Sequence, residues 1–262
     1  MTLDQWRRGI GTFLSFTAFG IGGLIIGLVV APLLHLGMRD PMRRQRLARR
    51  LIQRVFRAFI ALMKGLGVLD YRLEGRGRLA RGGRLILANH PSLIDVVFLL
   101  AYTPNADCIV KGRLATNPFT RGPIGVAGYI TNRDPQALLE AARDSLARGN
   151  SLILFPEGTR TTPGRPIKFR RGGANIALRT GSAITPVLIK CSPTTLTKGE
   201  PWYHIPRRKV QMDLHILDDL PPEPASNQPT SQQARQLTRE LSHYFNRELE
   251  RLHHEPKRTA VA

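Results

Sequence analysis

The feature that most constrains the fold of this chain is an uncharged run. It extends over about thirty residues, from Gly9 to Met38, and contains no Asp, Glu, Lys or Arg. A helix needs about 20 apolar residues to cross the hydrocarbon core of a bilayer, so the run is long enough to span one. It exceeds the apolar region of a signal peptide and shows no convincing small-residue cleavage site, which predicts that it is retained. Four glycines between Gly20 and Gly27, together with Pro32, disfavour a uniform helix. Two arrangements therefore stay open, a kinked span and a dip into one leaflet with a return.

The charges beside this run are one-sided. Two arginines precede it and seven follow it, with one acid on each side: Arg7 and Arg8 with Asp4, then Arg39, Arg43, Arg44, Arg46, Arg49, Arg50 and Arg54 with Asp40. The positive-inside bias predicts that the arginine-rich side, and the domain after it, face the cytoplasm at the inner membrane.

The next segment alternates arginines with apolar residues at nearly helical spacing, namely Leu47, Leu51, Val55, Phe59, Leu62, Met63 and Leu66. This pattern predicts a basic amphipathic helix that lies on anionic membrane lipids. An ordinary surface helix packed on the core is the alternative. The long apolar run beside the segment favours the membrane interpretation.

Composition narrows the classes of function. The formal net charge of +20 favours an anionic partner, which leaves nucleic acid, an anionic lipid surface, and acidic proteins or substrates. Aromatic residues make up only 6% and no nucleic-acid module is evident, so we expect no nucleic acid as partner. Two cysteines, Cys108 and Cys191, form no disulfide framework, and the seven histidines show no convincing metal-ligand spacing. We therefore expect neither a metal nor a bound cofactor.

After Leu66, short apolar runs alternate with helical patterns, which predicts an α/β fold. We expect a mixed, largely parallel sheet flanked by helices, behind an N-terminal membrane-embedded helical segment. The candidate strands are Tyr71–Glu74, Arg84–Ala88, Asp107–Val110, Gly128–Thr131, Ser151–Phe155, Ala183–Lys190 and Val210–Leu217. The candidate helices are Leu93–Tyr102, Pro135–Arg148, Arg171–Arg179 and a final one over about Ser231–His253.

Three domains follow from these changes in pattern. Residues 1–66 form the membrane anchor with the basic helix, and residues 67–220 form the α/β domain. Residues 221–262 form a linker, rich in Pro, Ser, Asn and Gln over Pro221–Thr230, and a C-terminal amphipathic helix.

A histidine lies where the second candidate strand ends. The sequence there is Ala88-Asn89-His90-Pro91-Ser92-Leu93-Ile94-Asp95, and Pro91 suits the first position of a helix. Asp95 follows His90 by a little over one helical turn, which brings its carboxylate within reach of the imidazole. A histidine held by a carboxylate is a general base, because the acid fixes the tautomer and stabilises the imidazolium. The alternative is a helix-capping histidine near a solvated acid. Because the motif is short, this alternative would be favoured if the chain contained no further motif of the same site.

Three further polar clusters stand beside strand ends or helix starts. Phe155–Arg160 (Phe-Pro-Glu-Gly-Thr-Arg) supplies Glu157, which can hold a hydroxyl, and Arg160, which can bind phosphate or steady Glu157. A tight turn with an exposed ion pair is the alternative there. Lys168–Gly173 opens a helix with three cations, and Gly128–Arg133 ends a strand on an arginine. In a fourth block, Pro186 interrupts a strand, where proline usually marks an edge or a bend.

These blocks, in this order, resemble the glycerolipid acyltransferase family, and most of all the membrane-bound 1-acylglycerol-3-phosphate acyltransferases. That family has Asn-His-x4-Asp, a strand ending in Arg, Phe-Pro-Glu-Gly-Thr-Arg, and a hydrophobic Thr-Pro-Val strand, which here lie at Asn89–Asp95, Gly128–Arg133, Phe155–Arg160 and Ile184–Val187. The resemblance covers about Leu85 to Lys190. Each block alone is weakly specific, but four in order are strongly specific.

The resemblance implies an acyltransferase that moves a fatty acyl group from a thioester, acyl-CoA or acyl carrier protein, to a hydroxyl of a lysolipid. The default acceptor is 1-acylglycerol-3-phosphate (lysophosphatidic acid), which gives phosphatidic acid, and another lysolipid or a specialised lipid is the alternative. His90 and Asp95 are the implied catalytic pair. The implied substrate-binding residues are Arg133, Glu157, Gly158, Thr159, Arg160 and Lys168.

Several alternatives stay open. Ser92 neighbours His90 and is a candidate nucleophile, although capping serines are common at such positions. Lys111 and Arg113 either add positive potential to the site or lie on a solvated loop. The segment Cys191–Arg208, with Trp202 and Tyr203, forms either a lipid entrance or a packed aromatic corner. A non-catalytic basic membrane-binding protein is the rival from another class.

Overall fold

A seven-stranded sheet organises the residues that the computed structural model describes, which are 2–221 and 230–254. Its strands are β1 (Leu69–Glu74), β2 (Leu85–Ala88), β3 (Asp107–Val110), β4 (Ile130–Thr131), β5 (Leu152–Leu154), β6 (Ile184–Ser192) and β7 (Val210–Ile216). Their order across the sheet is β1-β7-β6-β2-β5-β3-β4. Each lies within a few residues of a strand predicted from the sequence.

The pairing is parallel except between β6 and β7. The predicted class, a mixed and largely parallel α/β sheet, is therefore confirmed. The five strands from β6 to β4 point the same way, so their carboxyl ends share one edge of the sheet, where such folds place ligands. Strands β1 and β7 end at the opposite edge.

One prediction about β6 is wrong. Pro186 does not mark an edge or a bend, because β6 lies between β2 and β7 and runs unbroken from Ile184 to Ser192. The ladder with β2 passes through Pro186 and the ladder with β7 begins at Val187, while the Pro186 carbonyl accepts a hydrogen bond from the Leu217 amide at 3.0 Å.

Helices cover both faces of the sheet. They are α1 (Leu3–Ile25), α2 (Ala31–Gly37), α3 (Pro41–Gly65), α4 (Asp95–Tyr102), α5 (Arg121–Ala127), α6 (Pro135–Ala147), α7 (Gly172–Thr180) and α8 (Ser231–His254). Ile86 and Ala88 pack on one face with α3 and α4, whereas Leu85 and Leu87 pack on the other with α6, α7 and α8. This alternation follows from the two-residue period of a strand. The predicted linker lies mostly outside the described residues.

The apolar N-terminal run is helical throughout. A single π-helical turn at Ile26–Val30 joins α1 to α2, so Leu3–Gly37 forms one helical segment that is long and apolar enough to cross a membrane. Two of its glycines allow close packing: a Cβ atom on Gly23 would lie 2.1 Å from the Phe119 carbonyl oxygen, and one on Gly27 would lie 3.2 Å from the Cα of Gly122. These contacts bring the helix directly onto the start of α5.

Helix α3 differs from the basic amphipathic helix predicted for lipid contact. Its buried face holds Ile52, Phe59 and Met63, but also Arg49, which the sequence interpretation counted among the lipid-facing cations. The Arg49 guanidinium donates to Asp107 Oδ2 at 2.8 Å and to the Ala127 carbonyl at 2.9 Å. Both members of this ion pair are buried, so Arg49 joins α3 to the sheet and to α5.

Candidate active site

The site lies at the shared carboxyl edge, where β2 ends at Ala88. Asn89 continues the strand contact with its side chain: its Nδ2 donates to the Ile189 carbonyl at 2.8 Å, and its Oδ1 accepts from the Ile189 amide at 2.7 Å. The chain then turns through Pro91 and Ser92, and α4 begins only at Asp95. The prediction that Pro91 opens the helix is therefore wrong, because residues 91–94 form an irregular turn that returns Asp95 to His90.

His90 and Asp95 meet as the spacing predicted. Nδ1 of His90 lies 3.0 Å from Oδ2 of Asp95, which also accepts the Ser92 amide at 2.7 Å. Burial raises the pKa of the Asp95 carboxyl above its usual value, although His90, the Ser92 amide and the charge of Arg160 lower it. Asp95 is completely buried. Two contacts hold the same oxygen, so the carboxylate is fixed and the imidazole orientation is fixed with it.

The second ring nitrogen of His90 is available. Nε2 makes no hydrogen bond to the described part of the chain, and the imidazole stacks on the Phe155 ring with 4.1 Å between centroids. With Nδ1 bound to a carboxylate, Nε2 is the position that accepts a proton. The His90 side chain is partly exposed at the carboxyl edge.

The loop after β5 clamps the backbone of His90. The His90 amide donates to Oε1 of Glu157 and to Oγ1 of Thr161, both at 3.0 Å, and the His90 carbonyl accepts the Thr161 amide at 2.7 Å. Thr161 Oγ1 in turn donates to Glu157 Oε1 at 2.5 Å. Burial raises the pKa of Glu157, against the lowering effect of these hydrogen bonds. Glu157 therefore supports His90 and holds a hydroxyl of the protein itself.

Gly158 is required by the path of this loop. Its φ of +67° lies in the left-handed region, and a Cβ atom there would lie 2.9 Å from the Arg170 guanidinium. Beside it, a cavity of about 310 Å³ opens to solvent. It is lined by Glu157, Thr159, Arg160, Thr161, Thr162, Arg165, Pro166 and Lys168.

Cations converge on the same edge. Arg160 Nη1 donates to the Leu196 carbonyl at 2.6 Å, and Arg133 Nη2 donates to the Gly112 carbonyl at 3.1 Å beside Lys111. Burial and the nearby charges of Arg113, Arg160, Lys198 and Arg170 lower the pKa of Lys111. Such mutual repulsion is relieved by an anion, so the edge is suited to bind one.

The predicted site residues thus fall into two groups. His90, Asp95, Glu157 and Arg160 come together around one turn, whereas Arg133 reaches the edge from the outermost strand, through the loop after β3. Gly158 adjoins this first group, and Thr159 and Lys168 line its neighbouring cavity.

Three residues that shape the site were not predicted from the sequence. Asn89 links β2 to β6, the Phe155 ring stacks on the His90 imidazole, and Thr161 binds the backbone of His90. Asn89 and Phe155 lie inside the sequence motifs, and that position could have indicated their part in the site. Thr161 lies just beyond the Phe155–Arg160 motif, so the sequence gave no indication of its role. Within the described residues, no group of three or more His, Cys, Asp or Glu side chains is placed to hold a metal ion.

An apolar cavity of about 320 Å³ lies beside α4. Its walls come from α1, α3, α4 and α5, and include Phe19, Gly22, Ile52, Phe56, Phe59, Val96, Leu100, Leu114, Phe119 and Tyr129. Val96 and Val97, near the start of α4, are also part of its wall.

Comparisons with known proteins find a matching family model and related sequences. Residues 70–190 match the family model described as Acyltransferase, and this region contains all the predicted site residues. Over these residues the chain is similar to the acyltransferase family.

Among its relatives are proteins named 1-acyl-sn-glycerol-3-phosphate acyltransferase, from Helicobacter pylori (32% identical, over 56% of this chain and 65% of that protein) and from Pseudomonas aeruginosa (27%, over 66% of each). The predicted resemblance to that group is confirmed. The matched region spans less than two thirds of the Helicobacter protein.

A crystal structure has the same fold. The 1-acyl-sn-glycerophosphate (LPA) acyltransferase PlsC of Thermotoga maritima superposes with a TM-score of 0.65, over 96% of this chain and 100% of that one. The two sequences are 23% identical, so this comparison supports the architecture alone.

Proposed function

We propose that this chain is an O-acyltransferase that moves a fatty acyl group from a thioester donor, acyl-CoA or acyl carrier protein, to the hydroxyl of lysophosphatidic acid. The observation that carries the proposal is the 3.0 Å contact between His90 Nδ1 and the buried Asp95 carboxylate, with Nε2 left available at a strongly cationic edge. The names of the relatives support the choice of acceptor.

The proposed reaction needs no covalent acyl-enzyme. Nε2 of His90 takes the proton of the acceptor hydroxyl while its oxygen attacks the thioester carbonyl carbon. The new C–O bond forms, the C–S bond breaks, and the leaving thiolate takes the proton from Nε2. Asp95 stabilises the imidazolium between these two transfers. Ser92 is an unsuitable nucleophile, because it is fully buried and its amide already binds Asp95.

The charges at the edge suit the acceptor's phosphate. Arg133, Arg160 and Lys111 lie around the loops after β3, β4 and β5, and a phosphate monoester would relieve their mutual repulsion. Thr159 and Lys168, on the adjoining cavity, extend this polar surface. We assign Glu157 to positioning His90, since its near oxygen is already used by His90 and Thr161.

The apolar cavity beside Asp95 suits a fatty acyl chain. Its wall is almost entirely hydrocarbon, and α4 connects it to the catalytic turn. A chain that enters there leaves its carbonyl near His90. One wall belongs to the N-terminal helical segment, so this segment contributes to the substrate site as well as to attachment.

We further propose that the protein acts at the inner membrane, with the α/β domain on the cytoplasmic side. Only 17% of the apolar 18-residue window of Leu3–Gly37 is buried, which supports this placement over that of a buried core helix. Its large exposed side chains need an apolar environment. They include Leu3, Trp6, Ile10, Phe13, Ile21, Leu28, Leu33 and Leu36.

The test uses membranes that contain the protein, labelled acyl-CoA or acyl carrier protein, and a panel of lysolipids. We expect acylation of lysophosphatidic acid by the parent, and loss of at least ~10²-fold in rate for His90→Gln. His215→Gln is the matched control, because His215 Nδ1 also contacts a carboxylate, Glu74, at 2.9 Å on the opposite edge. Parental rates in His90→Gln would overturn the mechanism, and exclusive use of another lysolipid would replace the acceptor.

A further inference from the structure

Residues 193–208, within the connection between β6 and β7, contact two loops of the candidate active site. We call these residues the crossover segment. The carbonyl oxygen of Leu196 accepts Arg160 Nη1 at 2.6 Å and the Leu93 amide, in the catalytic turn, at 3.3 Å. Leu196 is buried and holds a φ of +55°, which is unfavourable for a leucine. This carbonyl therefore keeps its direction only while the rest of the segment holds it.

The far end of the crossover segment is held by Arg8 of α1. Its Nη1 donates to the carbonyls of Pro206 at 2.8 Å and Arg208 at 3.2 Å, and its Nη2 donates to that of Arg207 at 3.0 Å. Nε donates to Asp4 at 2.8 Å. Arg8 is 1% exposed. Its guanidinium hydrogen bonds therefore go mainly to backbone carbonyls of the crossover segment, which lies far away in the sequence.

The segment between these two ends is braced. Glu200 Oε2 accepts the amide of Thr197 at 2.9 Å and its hydroxyl at 3.0 Å, while Oε1 lies 2.5 Å from His204 Nδ1. The Trp202 ring packs on Phe16 of α1, with 5.6 Å between centroids. A displacement at residues 206–208 is therefore not absorbed before it reaches Leu196.

We propose that Arg8 is a positioning residue for the acceptor site. It fixes the crossover segment, whose Leu196 carbonyl in turn orients the Arg160 guanidinium. Without that carbonyl, the long Arg160 side chain gains rotamer freedom, which must be lost again when a phosphate binds. The proposal rests on the proposed function, since it assigns Arg160 to the acceptor's phosphate.

The chain offers a charge-matched control for Arg8. Arg7 precedes it, is largely exposed, and contacts Asp4 at 3.2 Å, its one acidic partner among the described residues. Arg7→Gln removes the same charge from the same end of α1 without touching the crossover segment. Arg8→Lys keeps the charge but loses the planar fork that reaches three carbonyls.

The experiment measures KM and kcat for both substrates in membranes that contain equal amounts of the full chain. We expect Arg8→Gln to raise KM for lysophosphatidic acid about tenfold, the size of one lost charge-assisted hydrogen bond. Arg8→Lys should lie between Arg8→Gln and the parent, and Arg7→Gln should equal the parent. The donor KM should stay unchanged. A merely structural role lowers the amount of active enzyme, and thus kcat, at unchanged KM, and that result would overturn the proposal.

A second measurement does not depend on activity. The chain has two tryptophans, Trp6 and Trp202, so Trp6→Phe leaves Trp202 as a reporter of the crossover segment. In that background Arg8→Gln should shift the Trp202 emission, whereas Arg7→Gln should not, and an unchanged spectrum in Arg8→Gln overturns the proposal. If the parent uses another lysolipid, the proposed acceptor is wrong and the KM comparison is made with the lysolipid it does use.

Discussion

Two histidine–carboxylate pairs lie at opposite edges of the sheet, and their contacts are nearly identical. His90 Nδ1 lies 3.0 Å from Asp95, and His215 Nδ1 lies 2.9 Å from Glu74. The carboxylates differ: the Asp95 side chain is 0% exposed and also bound by a backbone amide, whereas that of Glu74 is 64% exposed. Water competes for Glu74 but not for Asp95. The pair that we propose to be catalytic therefore differs from the other in its fixed, buried carboxylate and its cationic surroundings, and not in the contact distance.

The largest expected effect comes from neutralising the buried carboxylate. Asp95→Asn should lower the rate of acyl transfer by about 10³-fold, because the imidazolium loses its counter-charge and the tautomer is no longer fixed. Glu74→Gln should leave the rate unchanged. Rates are measured in membranes with both proteins at equal abundance, and a comparable loss in the two variants would remove the distinction between the pairs.

The cationic surroundings give the next effect. Arg160→Gln should raise KM for lysophosphatidic acid by roughly 10- to 100-fold, since a charged contact to phosphate contributes about 1.5–3 kcal/mol. Arg78→Gln is the matched control, because Arg78 also donates to a backbone carbonyl, that of Ile216 at 3.0 Å, but near the edge that holds His215. KM is obtained from initial rates across a range of acceptor concentrations. A raised KM in both variants would mean that acceptor binding depends on the net charge of the protein and not on the position of Arg160.

A smaller effect is expected at Glu157. Glu157→Gln keeps a carbonyl oxygen for the His90 amide and the Thr161 hydroxyl, and burial already raises the pKa of this carboxyl. We therefore expect activity within about threefold of the parent, against a loss above about tenfold for Glu157→Leu, which leaves the two donors unpaired. Equal and severe losses in the two variants would assign the Glu157 charge to substrate contact instead.

The smallest effect is expected at Ser92. Within the described part of the chain its buried Oγ has no hydrogen-bond partner, so Ser92→Ala removes an unsatisfied polar atom and leaves the amide contact to Asp95 intact. Activity and thermal midpoint should both stay near the parental values. Loss of acyl transfer, measured together with trapping of an acyl-enzyme in the parent, would restore the nucleophile hypothesis.

The sequence predicted the position of His90 and Asp95 because the constraint is local. Ile86 and Leu87 are apolar on both faces, as expected for an interior parallel strand, and the next polar residues had to fall at its carboxyl end. The predicted contact between His90 and Asp95 forms even though α4 begins later than predicted. An irregular turn brings the Asp95 side chain back to His90 as a helical turn would.

The remaining differences depend on contacts that are distant in the chain. Arg49 pairs with Asp107 and Glu157 with His90, and nothing in either local pattern indicates the partner. Helix α5 was not predicted because its sequence, from Arg121 to Ala127, contains two glycines and a proline. It forms where it packs on the N-terminal helix and α3, so tertiary contact overrides a weak propensity.

The contact of Gly23 and Gly27 with residues 119–122 sets a register between the apolar helix and the α/β body. A screw motion of the helix by one residue would bring Leu24 or Leu28 against a backbone that leaves no space for a Cβ atom at Gly23 and little at Gly27. The helix therefore cannot slide along α5 in small steps. Under the proposed membrane attachment, the close contacts of these two glycines would set the offset between the apolar segment and the carboxyl edge of the sheet.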